Sequence, residues 1–407
     1  MLTTRRGILA GAASIGFATR IRAQERPIRI GVLTDMSGPY HDTGGPTVVA
    51  CARQAIEDLE LAARGIRVEV LAADHQNKAD IGMSIARQWF DRDDVDAVLD
   101  VNNSSIALAI NGLVTEKDKV QLCTGAASAD LTGSGCSPNM VHWLNDTWCD
   151  AHATGNAVLR TGGDKWFFIV ADYTFGHLIQ QQTAQVVQAA GGKVMGSVAY
   201  PFPATTDFSS FLVQAQASGA NVVAFCNAAG DLVNCVKQSH EFGLASSGTR
   251  LVGMVTYITD IHTLGAGAAE GLLLNEPFYW DLNERTRGFA ARVKPKTPNN
   301  VPNGEHACAY GATVHYLKAV AQLGAARAKA SGRDAVEAMK RMPTDDDCFG
   351  AGSVREDGRV LHPVYLFQVK TPAESKGPWD LYKKIGDVPA AQAFRPLQDG
   401  ACAFIKA

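Results

Sequence analysis

Nowhere does the sequence string together the roughly 20 apolar residues that a membrane-spanning helix needs, so nothing in its 407 residues reads as a span. It has no basic run and no interleaving of basic and aromatic side chains, which leaves no polyanion site and no nucleic-acid partner. Cys-x-x-Cys is absent, and with it the zinc ribbon and the thioredoxin-type redox site. Gly-x-Ser-x-Gly, Gly-x4-Gly-Lys-Ser/Thr and His-Glu-x2-His are also missing, so serine-hydrolase, P-loop and zincin chemistry lack their signature geometry. Gly265-Ala266-Gly267-Ala268-Ala269-Glu270-Gly271 superficially suggests a dinucleotide fingerprint. Its final glycine comes one residue late, and it precedes a strand instead of following one. The histidines are scattered, and His142 and His152 have no carboxylate at metal-ligand spacing. No catalytic residue, metal or cofactor is expected.

What is present begins at the N-terminus. Arg5 and Arg6 stand directly before an apolar stretch, residues 7–18, that is rich in Ala and Gly and too short to span a membrane. It ends near Ile21-Arg22-Ala23, a usable small-residue cleavage site. Paired arginines, modest hydrophobicity and the basic Arg20 and Arg22 fit twin-arginine export, with cleavage near Ala23 and a periplasmic mature chain. The first cysteine is Cys51, too distant to be a lipidation site. The whole chain carries 38 basic and 41 acidic residues, and losing the four leader arginines makes the mature chain more acidic. Its length exceeds a comfortable single core and points to two domains. Nine cysteines in an exported chain allow disulfides and leave at least one thiol free. Cys51 falls in a helical pattern and reads as core. Cys402 lies where a disulfide would pin the tail; Cys136 is the expected partner, although spacing alone does not fix the connectivity.

Strand and helix patterns alternate twice over. Residues 28–33, 66–72, 95–101 and 120–124 are short, β-branched apolar runs that read as buried parallel strands, with helical patterns at 45–61, 78–90 and 105–116 between them. The plan repeats with strands at 166–171, 193–200, 222–227 and 251–255 and helices at 175–190, 207–218 and 231–242. The expected fold is α/β, two doubly wound parallel-sheet lobes. Helices at 304–323 and 333–340 should cover the first lobe, and 358–369 should form a hairpin-like return into the second. In such sheets ligands sit outside the carboxyl ends of the strands. Those ends carry Asn102-Asn103-Ser104-Ser105 and Thr124-Gly125-Ala126-Ala127-Ser128, loops leading into helix N-termini that suit a carboxylate. Ser105 and Ser128 read equally well as helix caps.

Several motifs occur in the order found in one family. Ile28-Arg29-Ile30-Gly31-Val32-Leu33, Asp35-Met36-Ser37-Gly38-Pro39-Tyr40 and Ala55-Ile56-Glu57-Asp58 resemble the opening of branched-chain amino-acid (Leu/Ile/Val) type periplasmic binding proteins of ABC importers. The family's serine-rich loop is similar to Asn103-Ser104-Ser105. Its Thr-x-Ala-Ala stretch is similar to the segment from Thr124 to Thr132, and its aromatic-Gly element to Asp172-Tyr173-Thr174-Phe175-Gly176. Glu270-Gly271-Leu272-Leu273-Leu274 resembles the family's second hinge crossing. The resemblance implies a type I periplasmic binding protein fold with a three-crossing hinge, near 144–147, 274–276 and 346–349. The leader would be 1–23, the N-terminal lobe 26–145 plus 276–346, the C-terminal lobe 146–275 plus 347–395, and the tail 396–407.

The same resemblance implies that Asn103, Ser104, Ala126 and Ser128 form the first-lobe rim that meets a ligand carboxylate, with Tyr40 over the site. Phe175, Gly176 and the turn Asn227-Ala228 would close on it from the second lobe. Where amino-acid binders of the family place a glutamate for the ligand ammonium, this chain reads Met254-Val255-Thr256-Tyr257. A buried, unpaired ammonium is costly, so an amino acid is a poor ligand unless Asp231 or Asp260 substitutes. Trp148, Tyr173 and Tyr257 join Tyr40 and Phe175 as aromatic cleft candidates, suited to a flat apolar body with a carboxylate. Phe278-Tyr279-Trp280-Asp281-Leu282, Tyr365-Leu366-Phe367-Gln368-Val369 and Gly377-Pro378-Trp379-Asp380 resemble a subgroup associated with aromatic carboxylates. The expected protein is therefore a monomer that binds a small carboxylate and docks on an ABC permease. Amino-acid or amide binding, and ligand sensing for a membrane receptor, remain alternatives.

Overall fold

The computed structural model describes residues 26–297 and 300–405, so the leader and its cleavage site near Ala23 lie outside the described residues. The first sheet is entirely parallel, in the order β2-β1-β3-β4-β5, with β1 Ile28–Thr34, β2 Val68–Asp74, β3 Ala97–Asp100, β4 Val120–Cys123 and β5 Met140–His142. Its inner strands β3 and β4 are buried along their full length, which is why they read as unbroken apolar runs. The helices α1 Gly45–Leu59, α2 Ala79–Asp91 and α3 Ser104–Lys117 are the crossovers. The chain then forms α4 Thr147–Arg160 and a second parallel sheet, β7-β6-β8-β9, from β6 Lys165–Ala171, β7 Lys193–Tyr200, β8 Val222–Cys226 and β9 Arg250–Gly253. Its crossovers are α5 Thr174–Ala189, α6 Ser209–Ala217 and α7 Ala229–Glu241. The fold is the expected pair of doubly wound α/β lobes.

After the short helices α8 Ile258–Leu264 and α9 Ala266–Ala269, β10 Leu273–Glu276 leads back towards the first lobe. There α10 Glu284–Val293, α11 Gly304–Leu323, α12 Ala325–Ala330 and α13 Gly332–Arg341 follow, with α11 packed along α1 and α13. The antiparallel trio β11 Thr344–Asp346, β12 Gly350–Val354 and β13 Val360–Leu361 packs on α11 and α13, and Arg359 bridges to His142 at the end of β5. Residues 344–361 therefore stay with the first lobe. We place the third crossing at 361–364, not at 346–349, because β11 and β12 are hydrogen-bonded across that segment. The segment 358–369 is likewise not a hairpin. β13 pairs with β12, whereas β14 Val364–Val369 joins β10 and β15 Tyr382–Val388 in a separate antiparallel sheet of the second lobe.

The aromatic segments near 279, 365 and 379 build the core of that outer sheet. Phe367 stacks on Tyr382, Tyr279 packs against both at a tilt, and Trp280 Nε1 donates to the Trp379 carbonyl at 2.8 Å. The final helix, α14 Ala390–Ala393, rests on α4, after which the chain returns to the first lobe. Arg395 donates to the Ala129 carbonyl at 2.9 Å, and Cys402 is disulfide-bonded to Cys136. The other seven cysteines are buried thiols, Cys51 among them.

The first crossing is held by a buried cation. Arg359 is fully buried and donates to the carbonyls of His142 (2.5 Å) and Leu144 (2.6 Å) and to Asp146 Oδ2 (3.3 Å). Asp146 also caps α4 by accepting from the Cys149 N–H at 3.0 Å. Replacing Arg359 by Met strands a buried carboxylate and two carbonyls, so Arg359→Met should lose roughly 3–5 kcal/mol of stability in urea unfolding. An unchanged midpoint would show that the clamp is dispensable.

Candidate functional site

Three loops at the carboxyl edge of the first sheet converge. After β1, Asp35 folds the loop back on itself: its carboxylate accepts from the N–H groups of Gly38 (2.7 Å) and Tyr40 (2.9 Å), which fixes Tyr40 over the edge. After β3, Asn102 accepts from the Asp35 N–H (2.9 Å) and from His75 Nε2 (3.0 Å). His75 Nδ1 accepts from the Asn77 N–H (3.1 Å), so the ring is a neutral Nε2–H tautomer, and burial lowers its pKa. The backbone at this bend is strained, with φ of 82° at Asp100 and 56° at the β-branched Val101. After β4, the loop from Gly125 to Ala127 completes the edge.

The second lobe contributes the starts of α5, α7 and α8. The lobes are in contact: Tyr40 and Tyr173 share a hydroxyl–hydroxyl hydrogen bond of 2.6 Å, and Ser105 Oγ lies 2.9 Å from Thr174 Oγ1. The Gly230 N–H donates to the Pro39 carbonyl at 3.2 Å, and Phe202 stacks on both tyrosines. Between them lies a small cavity of about 30 Å³, far below the usual range for ligand pockets, so a bound ligand requires the lining to move apart. Tyr40, Thr43, Asn102, Ser104, Gly125, Ala126, Ala127 and Glu305 line it from the first lobe; Tyr173, Phe175, Ala228, Val255 and Tyr257 line it from the second.

Of the residues singled out in the sequence, Tyr40, Ser104, Ala126, Tyr173, Phe175 and Tyr257 meet around this cavity. Four do not. Asn103 caps α3, accepting from Ser105 N–H (3.1 Å) and Ile106 N–H (3.2 Å). Ser128 is fully buried and caps the turn that follows, accepting from the Asp130 N–H at 3.3 Å. Trp148 lies on α4 and stacks on His152, one turn along the same helix. Asn227 is buried behind the cavity wall, donating to Cys235 Sγ at 3.4 Å. Asn103, Ser128 and Asn227 each stand next to a lining residue, Ser104, Ala127 or Ala228, and their polar groups are taken up by local hydrogen bonds.

Two features give the cavity its chemistry. The N–H groups of Ser104, Ala126 and Ala127 have no hydrogen-bond partner among the described residues, nor has the Ser104 hydroxyl. Ser104 is the first residue of α3, where the helix dipole adds partial positive charge, so an anion fits there. The second feature is Glu305, on the first turn of α11 beside Asp100. Burial, and then the charge of Asp100, push the Glu305 carboxyl well above its ordinary range, while burial holds Asp100 at about 6. Spacing gave no signal for Glu305, because it arrives on a helix more than 200 residues after β3. Asp231 and Asp260 do not substitute for the missing second-lobe acid. Asp231 accepts from Tyr200 OH (2.7 Å), Asp260 accepts from the Tyr257 N–H (2.8 Å), and neither lines the cavity. No group of side chains among the described residues is arranged to hold a metal ion.

Two consequences can be measured. Removing the hydroxyl that joins the lobes, as in Tyr173→Phe, should cost the closed form about 1 kcal/mol. Interlobe distance measurements by single-molecule fluorescence would then show the closed population falling about fivefold relative to the open one; an unchanged ratio would contradict this. Asp100 ionises near 6 in the folded chain against about 3.9 when unfolded. Its contribution to stability is therefore complete below about pH 4 and is lost as pH rises to about 6, by roughly 2–3 kcal/mol. Asp100→Asn, which tolerates the positive φ, should remove that slope from the ligand-free melting profile; parallel profiles would contradict it.

Residues 27–378 match a family model described as periplasmic binding protein. A periplasmic binding protein from Burkholderia mallei is 40% identical and superposes with a TM-score of 0.88, the match covering 93% of this chain and 99% of that one. A branched-chain amino acid ABC transporter periplasmic ligand-binding protein from Burkholderia xenovorans is 37% identical, with a TM-score of 0.79 and the same coverage. A solute-binding protein from R. palustris, solved with 4-hydroxybenzoate, is 21% identical with a TM-score of 0.80, covering 89% of this chain and 97% of that one; this likeness is one of fold. No curated protein matches the chain.

Proposed function

The chain belongs to the periplasmic binding protein family, and from that premise we propose that it captures a small apolar or aromatic carboxylate by hinge closure and delivers it, as a monomer, to an ABC permease. The family consists of solute-binding proteins, not enzymes, and works in the periplasm. The twin-arginine leader read in residues 1–23 belongs to the same proposal.

One observation carries it: an interlobe cavity sets three unpartnered N–H groups against aromatic walls. The N–H groups and the start of α3 suit a carboxylate. Tyr40, Tyr173, Phe175, Val255 and Tyr257 suit an apolar body. Each lobe supplies part of the lining, so only the closed form makes all the contacts, and the ligand draws the population towards it. The ligands of two neighbours, 4-hydroxybenzoate and benzoate, agree with this chemistry. A second reading, an amino acid, is favoured by Glu305. It brings an acid into the cavity from the first lobe, whereas no acid of the second lobe lines it.

The test is a thermal-shift screen of refolded, ligand-free protein against benzoates, short aliphatic acids, amino acids and sugars. A carboxylate at about 100 times its Kd should stabilise by about 2.7 kcal/mol. Ser104→Ala should weaken its binding by about tenfold or more, the equivalent of a hydrogen bond to a charged group. Stabilisation by sugars, with no carboxylate effective, would overturn the proposal.

A further inference from the structure

The carboxylate site leaves Glu305 without a role. Glu305 is 2% exposed and lines the cavity, with Asp100, Asn102 and Thr43 around its carboxyl, and no N–H or O–H of the described residues donates to its Oε1 with hydrogen-bond geometry. Beside it, Asp100 accepts from Thr124 Oγ1 at 3.0 Å through one oxygen, while its Oδ2 is also unpartnered. The side chains acting most strongly on the two acids are each other and the neutral Thr34, Thr43, Thr124 and Asn102. Two adjacent buried carboxyls without a cation cannot both ionise, so the pair holds one proton and one negative charge. Gly44 keeps the place open. A β-carbon there would come within 2.6 Å of Glu305 Oε1 and 2.4 Å of Asn102 Nδ2.

We propose that Glu305 sets the specificity of the cleft by accepting a hydrogen bond from the ligand, so that the preferred carboxylate also carries a hydroxyl or ammonium donor. This rests on the carboxylate reading above and narrows it. Closure excludes water from Oε1; a ligand with a donor satisfies it, and an analogue without one leaves a buried acceptor unpaired, which is how binding sites reject such analogues strongly. An ammonium additionally meets the single negative charge of the pair. Hydroxyl and ammonium are thus the same chemistry at Oε1, separable by experiment.

The experiment is calorimetric titration of wild type, Glu305→Met and Glu305→Gln with three matched series. These are 3-phenylpropionate, 3-phenyllactate and phenylalanine; 4-methylpentanoate, 2-hydroxy-4-methylpentanoate and leucine; and 4-methylbenzoate, 4-(hydroxymethyl)benzoate and 4-(aminomethyl)benzoate. In wild type, a donor-bearing member of at least one series should bind at least about tenfold tighter than its parent acid. Glu305→Met, close in volume, should erase that preference while still binding the parent. Should Glu305→Met fail to fold, Glu305→Leu decides in its place; Glu305→Gln keeps an acceptor oxygen and leaves Asp100 to carry the charge, so it should keep the preference. Parent acids that bind as tightly as their donor-bearing analogues in wild type, or a preference that survives in Glu305→Met, would overturn the inference and leave the carboxylate reading intact. No binding by any member would overturn both.

Discussion

Closing the carboxyl edges of two parallel sheets on one another buries polar groups whose partners the protein does not itself supply. In this chain those groups are of both kinds. Donors stand at Ser104, Ala126 and Ala127, and an acceptor at Glu305. Leaving either kind dry and unpaired costs on the order of 1–3 kcal/mol per group. The closed form is therefore incomplete on its own, and that incompleteness is what a ligand can turn into affinity. A hinge protein with a fully satisfied cleft would close without cargo and carry no signal for a permease.

Much of the surrounding structure keeps the donors and acceptors in place. Asp35, Asn102 and His75 brace one another beneath the site, so the strained bend at Asp100 and Val101 is held from several sides. Arg359 ties the first crossing to β13. Glu276, at the end of β10, accepts from Tyr382 OH (2.8 Å) and Ile258 N–H (3.1 Å) of the second lobe and from Gly304 N–H (3.1 Å) at the start of α11. The residue after Gly304 is Glu305, so the second crossing and the specificity acid share one helix terminus. The tail adds another tie between the lobes, resting on α4 and then returning to the first lobe at Cys136.

The lobes were legible in the sequence because buried parallel strands read as uninterrupted apolar runs, and the alternation of 28–33, 66–72, 95–101 and 120–124 with helical spacing allows little else. β5 was not, since three buried residues give no periodicity. Segment 344–361 misled for a related reason: short antiparallel strands look alike whichever lobe they join, and the bridge from Arg359 to His142 decides the matter only in three dimensions. At the site, the loops that carry Ser104 and Ala126 stand at strand ends marked by small and polar residues, whereas Tyr40, Tyr173 and Phe175 rest on the family resemblance. Asn103 and Ser128 act as caps here, and the sequence does not separate that role from ligand contact because a cap and a ligand-binding loop use the same side chains at the same helix starts. Glu305 was invisible because nothing local marks it; its neighbours come from β3 and α1's leading loop.

The most direct test is a crystal structure of the protein bound to the carboxylate that stabilises it most. The ligand carboxylate should accept from the N–H groups of Ser104 and Ala126 or Ala127, with a donor group of the same molecule within hydrogen-bond distance of Glu305 Oε1. A carboxylate placed elsewhere in the cleft, or a bound ligand that leaves both Ser104 and Glu305 without a partner, would contradict it.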